Sequence, residues 1–264
     1  MGDMELIVLG CSGSGPGPDS PSSGYLVQAG DAALVLDLGN GTLGVLHRYL
    51  DPFALDALLL SHLHPDHCAD VASLVVYRRH HPTPPFPATQ RRLAVFAPVE
   101  APDRLAAQYA SSAAERAEAD LSDVLDFRVL SDHMRTEVAG CAMSARRVDH
   151  PCETYALRLE HAGRSLVYSG DTGPCAALVE LARGADVLLC EASWPHEWPD
   201  GAQRPSGLHL SGRQAGEHAV RADVGRLLIT HVPVWSNASR LLVEAKEAFG
   251  GPVELVSAGA NYQV

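Results

Sequence analysis

Within seven residues, Ser61-His62-Leu63-His64-Pro65-Asp66-His67, the chain offers four side chains able to bind a metal ion. Imidazole with carboxylate is a donor set for zinc, or for manganese or iron where more oxygen is supplied. His62 and His64 are two apart, so on an extended segment both rings point the same way. Asp66 and His67 fall where the chain would turn into a helix. Such crowding suits two adjacent ions better than one, the alternating histidines serving one and the Asp/His pair the next. Two ions about 3.5–4 Å apart hold a hydroxide between them and neutralise the charge of an ester or phosphoryl oxygen under attack. The chemistry implied is hydrolysis at neutral pH.

Donors of this kind need rigid elements to aim them. Residues 55–60 form an apolar run of strand length that leads into Ser61. Residues 68–77 carry apolar side chains at helical spacing behind the cluster. Three more candidates stand at strand ends: His150 after 143–148, Asp171 after 165–168 and His231 after 227–230. Delivery from several strand ends is how a scaffold converges side chains on one site. Asp171 has two oxygens and can bridge two ions. Further strands are expected at 5–9, 25–28, 33–38, 92–97, 155–159, 186–190 and 253–256. Helices are expected at 45–50, 103–119, 174–183 (Pro174 in the first turn) and 238–249. Ser211 and Gln214 fit a capping box that opens a helix to about Ala222. The segment from Arg78 to His81 reads as an exposed helix end. Strands outnumber helices in both halves, so helices covering strand layers is the expected α/β architecture, in one domain over 1–264.

Composition narrows the partners. The 264 residues include 20 Lys+Arg against 32 Asp+Glu, a net charge of −12. That balance argues against a broad grip on nucleic acid or an anionic membrane. With 46% hydrophobic and 20% charged residues, general disorder is excluded. No apolar run approaches the ~20 residues of a membrane span. The opening Met-Gly-Asp-Met-Glu lacks the positive flank of a secretory signal, and the six cysteines show no CxxC pair. Free thiols and a cytoplasmic protein are the expectation.

The order His62-x-His64-x-Asp66-His67, His150, Asp171, His231 resembles the ligand set of the metallo-β-lactamase fold, over essentially the whole chain. That resemblance implies an αββα sandwich with two metal ions at one edge, zinc first and manganese or iron as alternatives. It implies His62, His64 and His150 on one ion, Asp66, His67 and His231 on the other, and Asp171 between them. Asp66 thereby becomes a catalytic residue. A homodimer is also implied.

His209, in Gly207-Leu-His-Leu-Ser211, resembles the histidine with which the phosphodiesterase branch contacts phosphate and protonates the leaving oxygen. That branch contains ribonuclease Z and related cyclic-nucleotide phosphodiesterases. His209 and Ser211 are therefore the residues expected to meet substrate. Two departures count against tRNA processing. The interval from His150 to Asp171 is too short for the endonucleases' tRNA-gripping arm, and Cys190 stands where their motif has a histidine before Glu-Ala-Thr. The segments Leu9–Gly15, Ser169–Thr172, Leu189–Trp194 and Leu228–Pro233 resemble an actinobacterial ribonuclease-Z-like group, which implies hydrolysis of 3′,5′-cyclic AMP to 5′-AMP. A ribonuclease Z activity, or hydrolysis of a lactone or thioester, is the alternative. The Gly-rich loop at 10–17 lacks Walker and GxGxxG spacing and reads as a turn near the metal edge. Trp194, Trp198 and Trp235 are read as core or rim packing, with base stacking as the other role. Glu153 is either a partner near His150 or a solvated turn residue, and Cys68 a small buried filler.

Overall fold

The structure, a computed structural model, describes residues 4–197 and 207–264. The first half of the chain supplies strands β1 (Met4–Gly10), β2 (Ser12–Gly13), β3 (Gly24–Ala29), β4 (Ala32–Leu38), β5 (Ala57–Leu59), β6 (Leu93–Ala97) and β7 (Leu125–Val129). The second supplies β8 (Arg135–Val138), β9 (Cys141–Arg147), β10 (Tyr155–His161), β11 (Arg164–Tyr168), β12 (Val187–Glu191), β13 (Arg226–Thr230), β14 (Val232–Pro233), β15 (Val253–Leu255) and β16 (Asn261–Gln263). They form two seven-stranded sheets, ordered β16-β1-β3-β4-β5-β6-β7 and β15-β13-β12-β11-β10-β9-β8, while β2 pairs with β14.

Each sheet is antiparallel where turns are short and parallel where helices cross over. β1, β3 and β4 are antiparallel, and β4 through β7 run parallel. In the other sheet β8 through β11 are antiparallel, and β11, β12, β13 and β15 run parallel. Helices α1 (Thr42–Leu46), α2 (Pro65–Cys68), α3 (Val71–His80), α4 (Ala101–Tyr109) and α5 (Ala113–Glu118) belong to the first set of crossovers. Helices α6 (Ala176–Ala182), α7 (Gly212–Ala222) and α8 (Ala238–Phe249) belong to the second.

Strand alternation sorts the apolar residues into three cores. Leu34 and Leu36 of β4 meet Leu157, Tyr168 and Leu189 of the opposite sheet in the middle layer. Ala33 and Val35 face the other way, onto Leu74, Val75 and Leu105 of α3 and α4. Leu188 and Cys190 of β12 likewise face Leu178 of α6 and Ala215 and Ala219 of α7. The layers are thus α, β, β, α, as the metallo-β-lactamase resemblance implies. One residue breaks the parity. Tyr25 pairs with Leu36 but Gly24 with Leu38, so Asp37 is an unpaired bulge residue, with φ of 55°. The bulge sends Leu38 to the outer core and frees the Asp37 carboxylate to point at the strand's end.

Several local expectations are corrected. The helix expected over 103–119 is two, because the chain is extended at Ala110 and the Ser112 hydroxyl caps a new start by accepting from Glu115 N. The helix expected from Pro174 begins at Ala176; the Cys175 N–H donates to His218 Nε2 at 3.2 Å, leaving Pro174 outside. The expected helix at 45–50 lies at Thr42–Leu46. The one expected over 68–77 is split at Ala69–Asp70, where Asp70 turns back to accept from Leu43 N. Arg78 is not exposed: its guanidinium lies over Phe53 and donates to Pro52 O and Arg91 O. Cys68 is fully buried, as expected of a filler.

Candidate metal centre

The seven residues singled out from the sequence converge at one edge of the sandwich, at the ends of strands from both sheets. His62, His64, Asp66 and His67 follow β5, with Asp66 and His67 in α2; His150 follows β9, Asp171 follows β11 and His231 follows β13. His62 Nε2 lies 3.0 Å from His64 Nδ1, which lies 3.4 Å from His150 Nε2. Separately, His231 Nε2 lies 3.2 Å from both His67 Nε2 and Asp66 Oδ2. Asp171 stands between the two groups. Its Oδ2 is 3.8 Å from His62 Nε2, while Oδ1 is 3.3 Å from His67 Nε2 and 3.4 Å from His231 Nε2. Two glycines let backbone come close here. A Cβ on Gly39 would lie 2.0 Å from Asp66 O, and one on Gly13 would lie 2.5 Å from His231 O.

Outer partners determine which nitrogen faces inward. His67 Nδ1 donates to Asp37 Oδ2 at 2.7 Å, so its Nε2 presents a lone pair when the ring is neutral. Ser61 Oγ gives its one proton to Asp37 Oδ2 at 2.7 Å and must accept from His62 Nδ1 at 3.0 Å. Ser193 Oγ spends its proton on Glu191 Oε2 or His231 O, and so accepts from His231 Nδ1 at 3.0 Å. His150 Nδ1 donates to Leu208 O at 3.0 Å. Four Nε2 lone pairs therefore aim inward, together with Asp171 Oδ1, a buried oxygen with no hydrogen-bond partner. Lone pairs so close to one another require a cation.

The charges make the same demand. The ion-pair partners of Asp37, Asp66 and Asp171 are histidines. Burial opposes charge on Asp66, but the adjacent His231 and His67 rings hold the carboxyl below the usual range. Burial likewise opposes a charge on Asp171, and His231 and His67 outweigh it. Burial would keep His67 neutral, yet Asp171 and Asp37 draw a proton onto it in the ion-free protein. A divalent ion supplies that positive charge and leaves the rings neutral, so the donor set fits metal.

Asp37 was missed in the sequence. It is fully buried and accepts from Ser61 N, Ser61 Oγ, His67 Nδ1 and Tyr168 Oη, each at 2.7 Å. Its signal is a lone carboxylate inside the apolar run 32–38. Glu191 is the counterpart on β12, also fully buried; it accepts from Thr172 N, Ser193 Oγ, Leu210 N and His209 Nδ1. His209 lies 3.9 Å from Asp171 Oδ2, and with Asp171 and His231 forms another group of donors. Burial lowers its proton affinity, but the adjacent Glu191 carboxylate, helped by Asp171, raises its pKa to about 9. Trp194 stacks edge-on at 5.3 Å from the His209 ring. Trp235 is 72% exposed, and Trp198 lies outside the described residues. Ser211 is fully buried: its hydroxyl caps α7 by accepting from Gln214 N and lies 3.0 Å from His196 Nδ1. Glu153 accepts from Tyr155 Oη at 2.6 Å and from Val99 N at 3.3 Å and is not itself one of the grouped donors.

The family model for the Beta-lactamase superfamily domain matches residues 35–232. The chain belongs to the β-lactamase superfamily, with the metallo-β-lactamase fold. Like the superfamily, it is a hydrolase whose fold implies divalent metal ions. Among the relatives of this metallo-β-lactamase fold protein is an uncharacterized protein of Mycobacterium leprae, 48% identical over 99% of this chain and 89% of its own length. Ribonuclease Z of Mycolicibacterium paratuberculosis is 30% identical, over 96% of this chain and 95% of its own. The crystal structure of the metallo-β-lactamase fold protein YhfI from Bacillus subtilis superposes with a TM-score of 0.84 at 25% identity, covering 100% of both chains. Among the described residues, no helix is long and apolar enough to cross a membrane.

Proposed function

We propose that the protein is a two-metal phosphodiesterase that hydrolyses 3′,5′-cyclic AMP to 5′-AMP. His62 Nε2, His64 Nδ1 and His150 Nε2 would hold one ion, and Asp66, His67 and His231 the other, with one Asp171 oxygen toward each. Zinc suits this nitrogen-rich set. Ions held there supply a nucleophile from water at neutral pH and positive charge for the phosphoryl oxygens. The observation that carries the reading is the convergence of these lone pairs in two groups, spanned by Asp171, with His209 beside them.

The chain's own residues complete the chemistry. Asp37, Ser61, Ser193 and the Leu208 carbonyl fix four rings, so little reorganisation is needed when substrate arrives. His209 would give a proton to the leaving 3′ oxygen from Nε2, a role supported by Glu191, which holds Nδ1 and would stabilise the imidazolium. Ser211 is assigned to the cap of α7 rather than to substrate. A small phosphodiester is favoured over tRNA because the interval from His150 to Asp171 holds a short loop and the β10–β11 hairpin, turned at Ala162 and Gly163. The net charge of −12 also opposes a large polyanion. We propose a protein of one domain that acts in the cytoplasm, as a homodimer.

The test is chromatographic. Zinc- or manganese-loaded protein is incubated with 3′,5′-cyclic AMP beside an Asp66→Ala variant, and 5′-AMP is measured. Product from the wild type alone is expected. Full activity in Asp66→Ala would sink the two-metal mechanism. No product from either would remove cyclic nucleotides and turn the search to precursor tRNA, then to lactones and thioesters.

A further inference from the structure

Five of the six cysteines stand outside the donor groups of the metal edge; Cys152 does not. Its Sγ belongs with donor nitrogens of His62, His64 and His150 to one set whose atoms all lie within 4.8 Å of one another. Sulfur sits 4.0 Å from His64 Nε2 and 3.6 Å from Thr154 Oγ1, whose proton goes to Cys152 O at 3.2 Å. The loop between β9 and β10 is closed by the bond from Val148 N to Thr154 O at 3.0 Å. Within that closed loop His150 and Cys152 are two apart, and their donor atoms fall in the same set.

On the reading of two ions given above, we infer that Cys152 Sγ is a sulfur donor to the ion held by His62, His64 and His150. A thiolate beside three imidazoles is a donor set that favours zinc over manganese. On binding, the thiol proton leaves to solvent and the sulfur lone pair goes to the ion. An outer role, in which sulfur merely accepts a hydrogen bond from His64, fits less well. The 4.0 Å separation is long for such a bond, and His64 is exposed enough for water to serve its Nε2. Cys68, the other thiol near the cluster, is buried, and its Sγ is directed to the carbonyls of Leu63 and His64.

The experiment loads the full chain with Co²⁺ alone and compares it with Cys152→Ser and Cys152→Ala. A near-ultraviolet thiolate-to-cobalt charge-transfer band is expected in the wild type and absent from both variants, while visible ligand-field bands persist in all three. Zinc affinity of the three-histidine position should fall at least about ten-fold in the variants, a loss that even an outer partner of a ligand can produce. Ligand-field bands without the charge-transfer band in the wild type, or a band that survives both substitutions, would overturn the sulfur donor and leave the two-ion reading standing. No ligand-field bands at all would remove both.

Discussion

Asp37 and Glu191 sit at the ends of β4 and β12, in opposite sheets, and use one device for two purposes. Each is a fully buried carboxylate that accepts four hydrogen bonds, one of them from a histidine Nδ1. The histidines differ. His67 has no exposed side-chain surface, and its Nε2 faces His231 and Asp171. His209 keeps 14% of its side chain exposed and stands at the rim beside Trp194. Backbone differs too. Glu191 lies in a regular strand opposite Thr230, whereas Asp37 and His231 adopt left-handed φ values of 55° and 54°. Such conformations cost about 1–3 kcal/mol each and persist only where surroundings over-determine them. On the proposed function, the strain thus lies with the partner that would aim metal donors, where aim matters most; the one that would meet substrate needs none.

The comparison breaks most visibly at Asp37. In Asp37→Asn, whichever way the amide is turned, an NH₂ group faces at least one donor that the carboxylate now satisfies. Loss of about 3–5 kcal/mol is expected, the cost of breaking a buried pair, read from urea unfolding of chelator-treated protein. Metal analysis should show lower ion content, because His67 loses its orientation. Full metal content with unchanged stability would show that Asp37 aims nothing. Glu191→Gln should do the opposite: retain metal while lowering kcat about 10²–10⁴-fold, the usual share of a general acid. His209→Ala should match it, with KM nearly unchanged. If His209→Ala instead loses an ion, His209 is a metal ligand, and the two carboxylates serve the same purpose after all.

How legible these features were follows from their chemistry. Histidines at strand ends have few structural reasons to recur at such spacing, so the residues that converge at this edge could be picked out from sequence. Asp37 could not, because a bulge changes parity without any marker other than one charge in an apolar run. Glu191 falls within the segment Leu189–Trp194 that carries the family resemblance, but its four bonds arise only when the chain after β11 and the chain before α7 close on the end of β12. Of the strands missed, β7, β8 and β16 are all at sheet edges and too short, with too few apolar residues, to be distinguished from loop, and β2 and β14 are only two residues long. Residues 103–119 misled because alanine favours helix whether or not anything covers it; α5 buries no residue. Cys152 gave no signal, since its relation to His62 and His64 is long-range.

Tyr168 sharpens the difference between the two hubs at smaller scale. Its hydroxyl donates to Asp37 Oδ2 across the two sheets, and burial followed by the Asp37 charge pushes the phenol's pKa upward. Tyr168→Phe removes one of four donors and leaves the carboxylate otherwise satisfied. A loss of about 1.5–3 kcal/mol in unfolding free energy is expected for a bond to a charged group, with metal content kept. Among the described residues nothing equivalent from the opposite sheet reaches Glu191: its donors come from the second half of the chain.

Ser211 gives the smallest effect and the cleanest separation of structure from substrate. It lies two residues beyond His209, and sequence placed both in contact with substrate. In the structure its hydroxyl accepts from Gln214 N at 3.2 Å, Gln214 Oε1 accepts from Ser211 N at 3.0 Å, and no Ser211 surface is exposed. Ser211→Ala should therefore cost about 1 kcal/mol in stability through the lost cap, measured by chemical unfolding. KM and kcat should stay within two-fold, because the cap of α7 can fray slightly while Glu191 still holds His209 through its own bond. A rise in KM without loss of stability would return Ser211 to the substrate and leave the capping geometry incidental. It would also mean that the Glu191 side of the site reaches past His209, a breadth that the fully enclosed Asp37 side cannot match.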